Sequence, residues 1–460
     1  MSKMTAVPTP MRSAEAVQLP TFAEAARLWL RIGCLSFGGP AGQIALLHRE
    51  VVDERNWISD RRFLHALNFC TLLPGPEAQQ LAIYLGWLLH GAKGGFVAGL
   101  LFVIPGALVM LALSIVYATL GEIPIVAALF FGLKSAVLVL VIEALLRIGR
   151  RALKSRLAWT LAAVAFAALF FFAVPFPAVV LAAGFVGYLA PSSFSGGTHG
   201  KAKDGPPALL DAVLDADPGR ARRMSRSARR AGILSCVLWF LPVALLLPTG
   251  GVYADIAWFF SKMAVVTFGG AYAVLAYAAQ QAVVGYHWLS APEMLAGLGL
   301  AETTPGPLIL VLQFVGFLAG YRASGSLSGL AGGVAASVLT LWVTFAPCFA
   351  FVFLGAPVLE RLQGNRALSG ALAAITAGVV GVIANLAVWF ALHTLFNTTV
   401  PVRAAPLSFD APVLSSVDPW AVLLSVVAAI ALLRLRLNVP QTLGICAGAS
   451  VVLRLVVGNL

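Results

Sequence analysis

The chain is 460 residues long, 60% hydrophobic and only 11% charged, with a mean hydropathy of +0.91. A soluble globule of that composition would expose far more apolar surface than water tolerates, so the chain reads as a polytopic membrane protein. Its net charge of +12 sits in short basic runs beside apolar segments, the pattern of cytoplasmic membrane flanks, which argues against nucleic acid as a partner.

In chain order, residues 1–21 lack the apolar core of a signal peptide and are expected to stay cytoplasmic. The first half spans 22–190. It opens with an apolar segment, 22–47, broken at Gly38-Gly39-Pro40, then a charged amphipathic stretch over 48–62. A second apolar segment, 63–90, is interrupted by Pro74-Gly75-Pro76. Runs at 95–120, 123–146, 157–173 and 178–190 follow with the length and character of membrane helices. Residues 191–230 turn to Ser, Gly, Pro, Asp and basic residues and read as a solvated cytoplasmic linker. The second half spans 231–396, with segments at 233–247, 252–284, 292–321, 327–354 and 368–396. A loop and two further helices, 420–435 and 442–457, complete a C-terminal region of 397–460. The five cysteines are scattered singly in apolar stretches, with no spacing that would hold a metal, and no cofactor is implied.

One pattern recurs. Phe37-Gly38-Gly39, Trp57 with Ser59, and Pro74-Gly75-Pro76 return as Phe268-Gly269-Gly270, Trp288 with Ser290, and Pro305-Gly306-Pro307, each 231 residues later without a gap. Leu and Ala matches come cheaply in so apolar a chain, but these do not. They mark two homologous halves.

A helix cannot run undisturbed through Pro-Gly-Pro, because proline removes a backbone donor and clashes with the preceding turn. Backbone released at membrane depth must be buried in protein or line a wet cavity. Pro76 and Pro307 are expected at the first position of a new half-helix, where a missing N–H costs nothing. If both kinds of segment dip into the membrane and return, the stretch with Arg49, Arg55, Arg61 and Arg62 lies inside. Its counterpart, 282–291, then lies outside and holds no Lys or Arg. The charge distribution thus predicts an all-α fold with an inverted repeat of re-entrant, broken helices.

Half-helix N-termini meeting near mid-membrane would offer unpaired N–H groups and positive dipole ends to an anion. Candidate anion-binding residues at the breaks are Ser36, Gly38, Gly39, Gln43, Gly75, Glu77, Gln79 and Gln80 in the first half. Thr267, Gly269, Gly270, Thr303, Thr304 and Gly306 are those in the second. Each polar side chain also suits an ordinary helix–helix hydrogen bond, and the grouping at the breaks is what suggests a site. Arg31 and Lys262 stand six residues before each FGG and, with Lys134, are candidates for a charge pathway, against the plain alternative of snorkelling. Glu77 and Glu302 are candidate proton carriers, against the alternative of a cap or ion pair.

The paired FGG and PGP motifs, the Trp57-x-Ser59 spacing and the run Pro74-Gly75-Pro76-Glu77-Ala78-Gln79-Gln80-Leu81-Ala82-Ile83-Tyr84-Leu85-Gly86 resemble the chromate ion transporter family in its long, two-half form. The resemblance covers roughly residues 22–396. It implies a multi-pass inner-membrane transporter that exports chromate and confers resistance, with sulfate as the chemical analogue. In many members Asn and Ser or Thr follow the first PGP, where this chain has Glu77-Ala78. The substrate expected is therefore chromate or sulfate in a lipid bilayer, and a homodimer is compatible with that reading. Uptake of sulfate or another oxyanion is the alternative within the class. A membrane enzyme or flippase for phosphorylated lipid is the alternative outside it, and no catalytic set of side chains recurs in the sequence to support it.

Overall fold

The computed structural model describes residues 19–194, 208–266, 268, 270–324, 327–356, 365–404 and 406–458. The described residues are helical almost throughout. Among the described residues, six helical stretches are long and apolar enough to cross a bilayer.

In the first half, α1 (Phe22–Leu35) starts from a capping box in which Thr21 and Glu24 bond each other reciprocally. The break at Gly38 and Gly39 separates it from α2 (Gly39–His48), which runs into a short π-turn (Arg49–Asp53). α3 (Asp60–Cys70) leads to the PGP break, and α4 (Glu77–Leu120) follows. α4 folds back on itself at His90 and Gly91, where Gly91 takes a positive φ of 64°. Its two arms pack so closely that a Cβ on Gly86 would lie 2.5 Å from the Gly94 carbonyl. α5 (Pro124–Ala152), α6 (Arg156–Phe172) and α7 (Phe176–Leu189) complete the half.

Residues 208–230, assigned by composition to a solvated linker, are helical. They form α8 (Leu209–Ala216) and begin α9 (Pro218–Leu246); α9 is seeded by Asp217, which caps the backbone N–H of Arg220, and by Pro218 in its first turn. α8 is docked rather than solvated. The Leu209 and Leu210 N–H groups donate to the Asn56 and Trp57 carbonyls at 3.1 and 3.0 Å, and Arg62 pairs with Asp211. Linker residues 195–207, with Lys201 and Lys203, lie outside the described residues.

The second half repeats the plan. α10 (Gly251–Val266) and α11 (Ala271–Gln280) flank the second FGG, and another π-turn (Gln281–Gly285) follows α11 as one follows α2. α12 (Ala291–Thr303) leads to the second PGP. A 3-10 turn (Leu308–Leu310) then enters α13 (Val311–Tyr321), and α14 (Gly329–Gly355) packs back along it. α15 (Arg366–Leu395), α16 (Pro419–Ala429) and α17 (Val439–Val457) follow. Between α15 and α16 the chain forms an antiparallel hairpin of β1 (Thr399–Ala404) and β2 (Leu407–Pro412), where a loop was expected.

The two halves are interlocked. α6 and α7 pack on α15 of the other half, and α16 and α17 pack on α5.

Both pairs of broken segments enter and return. The start of α1, the α2–α3 loop and the α4 turn share one face. There Phe22 meets the His90 ring edge-on at 5.6 Å, His90 Nε2 donates to the Pro20 carbonyl at 2.8 Å, and Arg220 donates to the Leu89 carbonyl at 2.9 Å. The corresponding second-half ends share another face. Tyr253 donates to the Leu327 carbonyl at 2.9 Å, and Arg322 donates to the Trp288 carbonyl and pairs with Glu293. α9, with 29 residues, reaches from the first cluster toward the second, a run of roughly 40 Å. The hairpins therefore enter from opposite faces, as an inverted repeat requires.

Candidate functional site

The hairpin tips meet. A cavity of about 20 Å³, room for roughly one water, is lined by Pro40 and Gln43 from α2, by Gly75, Pro76, Glu77 and Ala78 at the start of α4, by Gly270 and Ala271 at the start of α11, and by Pro307, Leu308 and Ile309 leading into α13. Four helix starts thus converge on one point. Each leaves N–H groups without intrahelical partners, and each brings the positive end of its dipole.

Local chemistry sets these starts. Gly38, Gly39, Gly75, Gly270 and Gly306 all take positive φ, between 72° and 122°, a region costly for any residue with a Cβ. Pro76 and Pro307 stand one position earlier than expected. They are the N-caps, with ψ of 105° and 134°. The non-helical ψ is what turns the chain into the new helix, and at that position too the missing N–H costs nothing.

The tips are stitched across the halves. The Gly306 N–H donates to the Ser36 carbonyl at 2.7 Å, and Gln43 Nε2 donates to the Gly306 carbonyl at 2.6 Å. Within the first half, Gln80 Nε2 closes the PGP turn by donating to the Pro74 carbonyl at 2.6 Å.

Of the residues singled out from sequence, Gln43, Gly75, Glu77 and Gly270 line the cavity. Ser36, Gly38, Gly39 and Gly306 do not line it, though the Ser36 and Gly306 backbones are bonded to each other beside it. The Ser36 hydroxyl itself donates back to Ile32 in the preceding turn. Among the described residues, Gln79 is fully buried with both amide atoms unpartnered, and Gln80 has no hydrogen-bond partner at Oε1. Neither lines the cavity. The Thr303 and Thr304 hydroxyls both donate to the Leu300 carbonyl, the ordinary intrahelical role. Thr267 and Gly269 lie outside the described residues.

The charged candidates separate. Glu77 faces the cavity and forms no hydrogen bond or ion pair among the described residues. Glu302 instead accepts a hydrogen bond from the buried Tyr272 hydroxyl at 2.7 Å. Arg31 and Lys262 do not line the cavity. Arg31 is 55% exposed and stands 3.6 Å from the fully buried Glu50, which Arg55 also holds at 2.6 Å. Lys262 is exposed, its ammonium 6.0 Å from the Tyr277 ring. Lys134 is partly buried in α5 and forms no hydrogen bond or ion pair among the described residues.

Several lining residues were not anticipated: Pro40, Pro76, Ala78, Ala271, Pro307, Leu308 and Ile309. The repeat held the signal. Pro40 matches Ala271, Pro76 matches Pro307, Glu77 matches Leu308 and Ala78 matches Ile309 at the same offset. The comparison also exposes an asymmetry, because the counterparts of Gln43 and Glu77 are Val274 and Leu308. The cavity's polar side chains come from the first half alone, and the second contributes backbone and apolar surface. Glu50 was missed as well. Only burial distinguishes it from its exposed neighbour Glu54.

The profile of the family described as Chromate transporter matches residues 23–188 and 254–452, one match for each repeat. The chain belongs to the chromate transporter family. It is 32% identical over 407 residues to the chromate transport protein of Pseudomonas aeruginosa, covering 87% of this chain and 88% of that one. It is 25% identical over 375 residues to the chromate transport protein of Cupriavidus metallidurans, covering 80% and 82%. A shorter relative, the uncharacterized transporter YwrB of Bacillus subtilis, is 34% identical over 125 residues, 27% of this chain and 64% of its own. No solved structure matches the chain. Family membership and the apolar spans together make this a multi-pass membrane protein.

Proposed function

We propose that the protein exports chromate across the inner membrane, holding the dianion near mid-membrane between the half-helix N-termini of the two repeats. The observation that carries this reading is the convergence of four helix starts, two from each half, on one cavity. N–H groups and dipole ends fixed in a low-dielectric site stabilise an anion without a full countercharge. Two relatives that cover most of the chain are named chromate transport proteins, which supports chromate as the cargo.

Charge supports an orientation with the N-terminus in the cytoplasm. The face formed by the α1 start and the α2–α3 loop carries Arg49, Arg55, Arg61 and Arg62, while 282–291 on the other face has none. With the interior negative, each exported negative charge gains about 2.3 kcal/mol per 100 mV. Voltage alone therefore drives dianion exit.

The cavity in this form is too small for an oxyanion of five heavy atoms, so the form is occluded and the tips must part to load. A second cavity of about 200 Å³, lined by Gln280, Asn385, Arg403 and Asp410 among others, lies at the far end of α11. It stands about 14 Å along that helix from Ala271 and would serve as the outer vestibule.

A second reading, uptake of sulfate or a related oxyanion with protons, has one observation in its favour. Glu77 faces the cavity with no hydrogen-bond or ion-pair partner among the described residues, and a carboxylate there repels a dianion unless it takes up a proton.

Flux in proteoliposomes under an imposed voltage tests the proposal. Outward-driven chromate flux that sulfate inhibits supports export. Folded protein that moves neither ion at any voltage removes it, and flux that needs an inward proton gradient favours the second reading.

A further inference from the structure

We infer that the protein carries a second oxyanion site, a loading chamber on the N-terminal face formed by Arg27, Arg31 and Arg55. The inference rests on the orientation proposed above. The chamber has a volume of about 520 Å³, far larger than the closed central cavity, and is walled by Leu28, Trp57 and Leu209 besides the three arginines.

Its electrostatics favour an anion. Three carboxylates oppose the three guanidiniums, and all are engaged. Glu54 is shared by Arg55 at 3.4 Å and by Arg49 at 3.5 Å. Glu24 is held by the Thr21 N–H and hydroxyl in the α1 capping box, at 2.8 and 2.9 Å. Glu50 is shared by Arg55 and Arg31. Arg27 forms no hydrogen bond or ion pair among the described residues, and Arg31 forms an ion pair at 3.6 Å but no hydrogen bond. Two guanidiniums therefore present uncommitted N–H donors in the fork geometry that suits tetrahedral oxyanions. Arg27 and Arg31 are also four residues apart on α1, which places them on one face one turn apart.

Glu50 gives the chamber its particular character. Its side chain is fully buried and its Oε1 accepts no hydrogen bond among the described residues. It acts as an internal anion that holds Arg31 and Arg55 in place when the chamber is empty. An arriving dianion competes with it for the same guanidiniums instead of meeting charges that have collapsed onto other partners.

Helix α1 runs from the chamber toward the central site. Arg31 is five residues, about 7.5 Å along the helix axis, before Ser36, whose carbonyl is bound by Gly306 at the tip of the second half. α1 thus connects a wide basic antechamber to the closed cavity. The ligand class is a doubly charged tetrahedral oxyanion, free in the cytosol. A phospholipid headgroup shares the phosphate chemistry, and the test separates the two.

The experiment uses full-length protein in proteoliposomes of known orientation, with radiolabelled chromate on one side at a time, comparing wild type, Arg27→Gln, Arg27→Gln with Arg31→Gln, and the double Lys variant as a charge-conserving control. The expected result is a half-saturation concentration at the N-terminal face raised at least about tenfold in the double Gln variant, the size expected for lost hydrogen bonds to a charged ligand. Maximal flux and half-saturation at the other face should stay within about twofold. Unchanged half-saturation at the N-terminal face, or equal change at both faces, overturns the chamber while wild-type flux leaves the export reading standing. If wild type moves no chromate, the export reading fails, and equilibrium dialysis of labelled chromate and sulfate against detergent-purified protein decides the chamber alone. Saturable binding lost in the double Gln variant supports it, and equal binding in both overturns it. Arginine-dependent binding of phosphatidylglycerol micelles that free chromate and sulfate do not displace assigns the pocket to lipid and also overturns it.

Discussion

Gln43 and Gly306 join the two halves of the molecule: the Gln43 amide, on the first half-helix after FGG, donates at 2.6 Å to the carbonyl inside the second-half PGP. The bond is buried and crosses 263 residues of sequence. It ties together the elements that the proposed loading of an oxyanion requires to separate.

Gln43→Met removes this donor with little change of volume and leaves a buried carbonyl unpaired. The occluded form should lose about 1–3 kcal/mol. The thermal unfolding temperature in detergent should fall, and cysteine reagents should reach position 271, which lines the cavity, faster in an Ala271→Cys background. An unchanged unfolding temperature and unchanged labelling would show that the bond does not hold the tips closed.

A close approach elsewhere supports the same tip. A Cβ on Gly106 would lie 1.9 Å from the Pro305 carbonyl, so Gly106→Ala must push the second PGP away from α4. Overpacking of this kind costs about 1–3 kcal/mol. Flux should drop while Gly444→Ala, whose Cβ meets nothing within 4 Å, retains it. Equal flux in the two variants would contradict the contact.

The two membrane carboxylates should behave differently. Glu77 faces the cavity with no hydrogen-bond or ion-pair partner among the described residues, and Glu302 is bound by Tyr272. Any pH-dependence of anion flux should therefore vanish in Glu77→Gln and persist in Glu302→Gln. Loss of pH-dependence only in Glu302→Gln would transfer the proton role to the Tyr272 pair.

Docking of α8 has its own pH window. Burial pushes the Asp211 carboxyl up, but hydrogen bonds from Arg62 and Ser59 and the Arg62 charge outweigh it and hold the group below its ordinary 3.8. A depressed carboxyl stabilises the docked form fully above the unfolded value and loses that contribution as pH falls through the folded value. Protease protection of 208–216 should thus be level from pH 7 to 5 and fall only below 3.8, whereas Asp211→Asn should weaken it at pH 7. A midpoint near pH 6 would point to a different group.

The sequence by itself determined the class, the repeat and the places where helices break. These follow from local causes: composition sets the solvent, proline and glycine stop a helix wherever they stand, and a shared offset of 231 residues records common descent of the halves. It also placed Gln43, Glu77, Gly75 and Gly270 near one site, because residues beside a break stay beside it. Tertiary structure decided the rest. Whether Arg31 reaches the cavity depends on the buried Glu50, nineteen residues later, and whether Glu302 is free depends on Tyr272 from another helix. The docking of α8 and the exchange of helix pairs between the halves are likewise contacts between distant segments. Helices apolar on every side carry no periodicity to show which face meets which neighbour. In such a chain the partner of a polar side chain is fixed by what another helix brings to it.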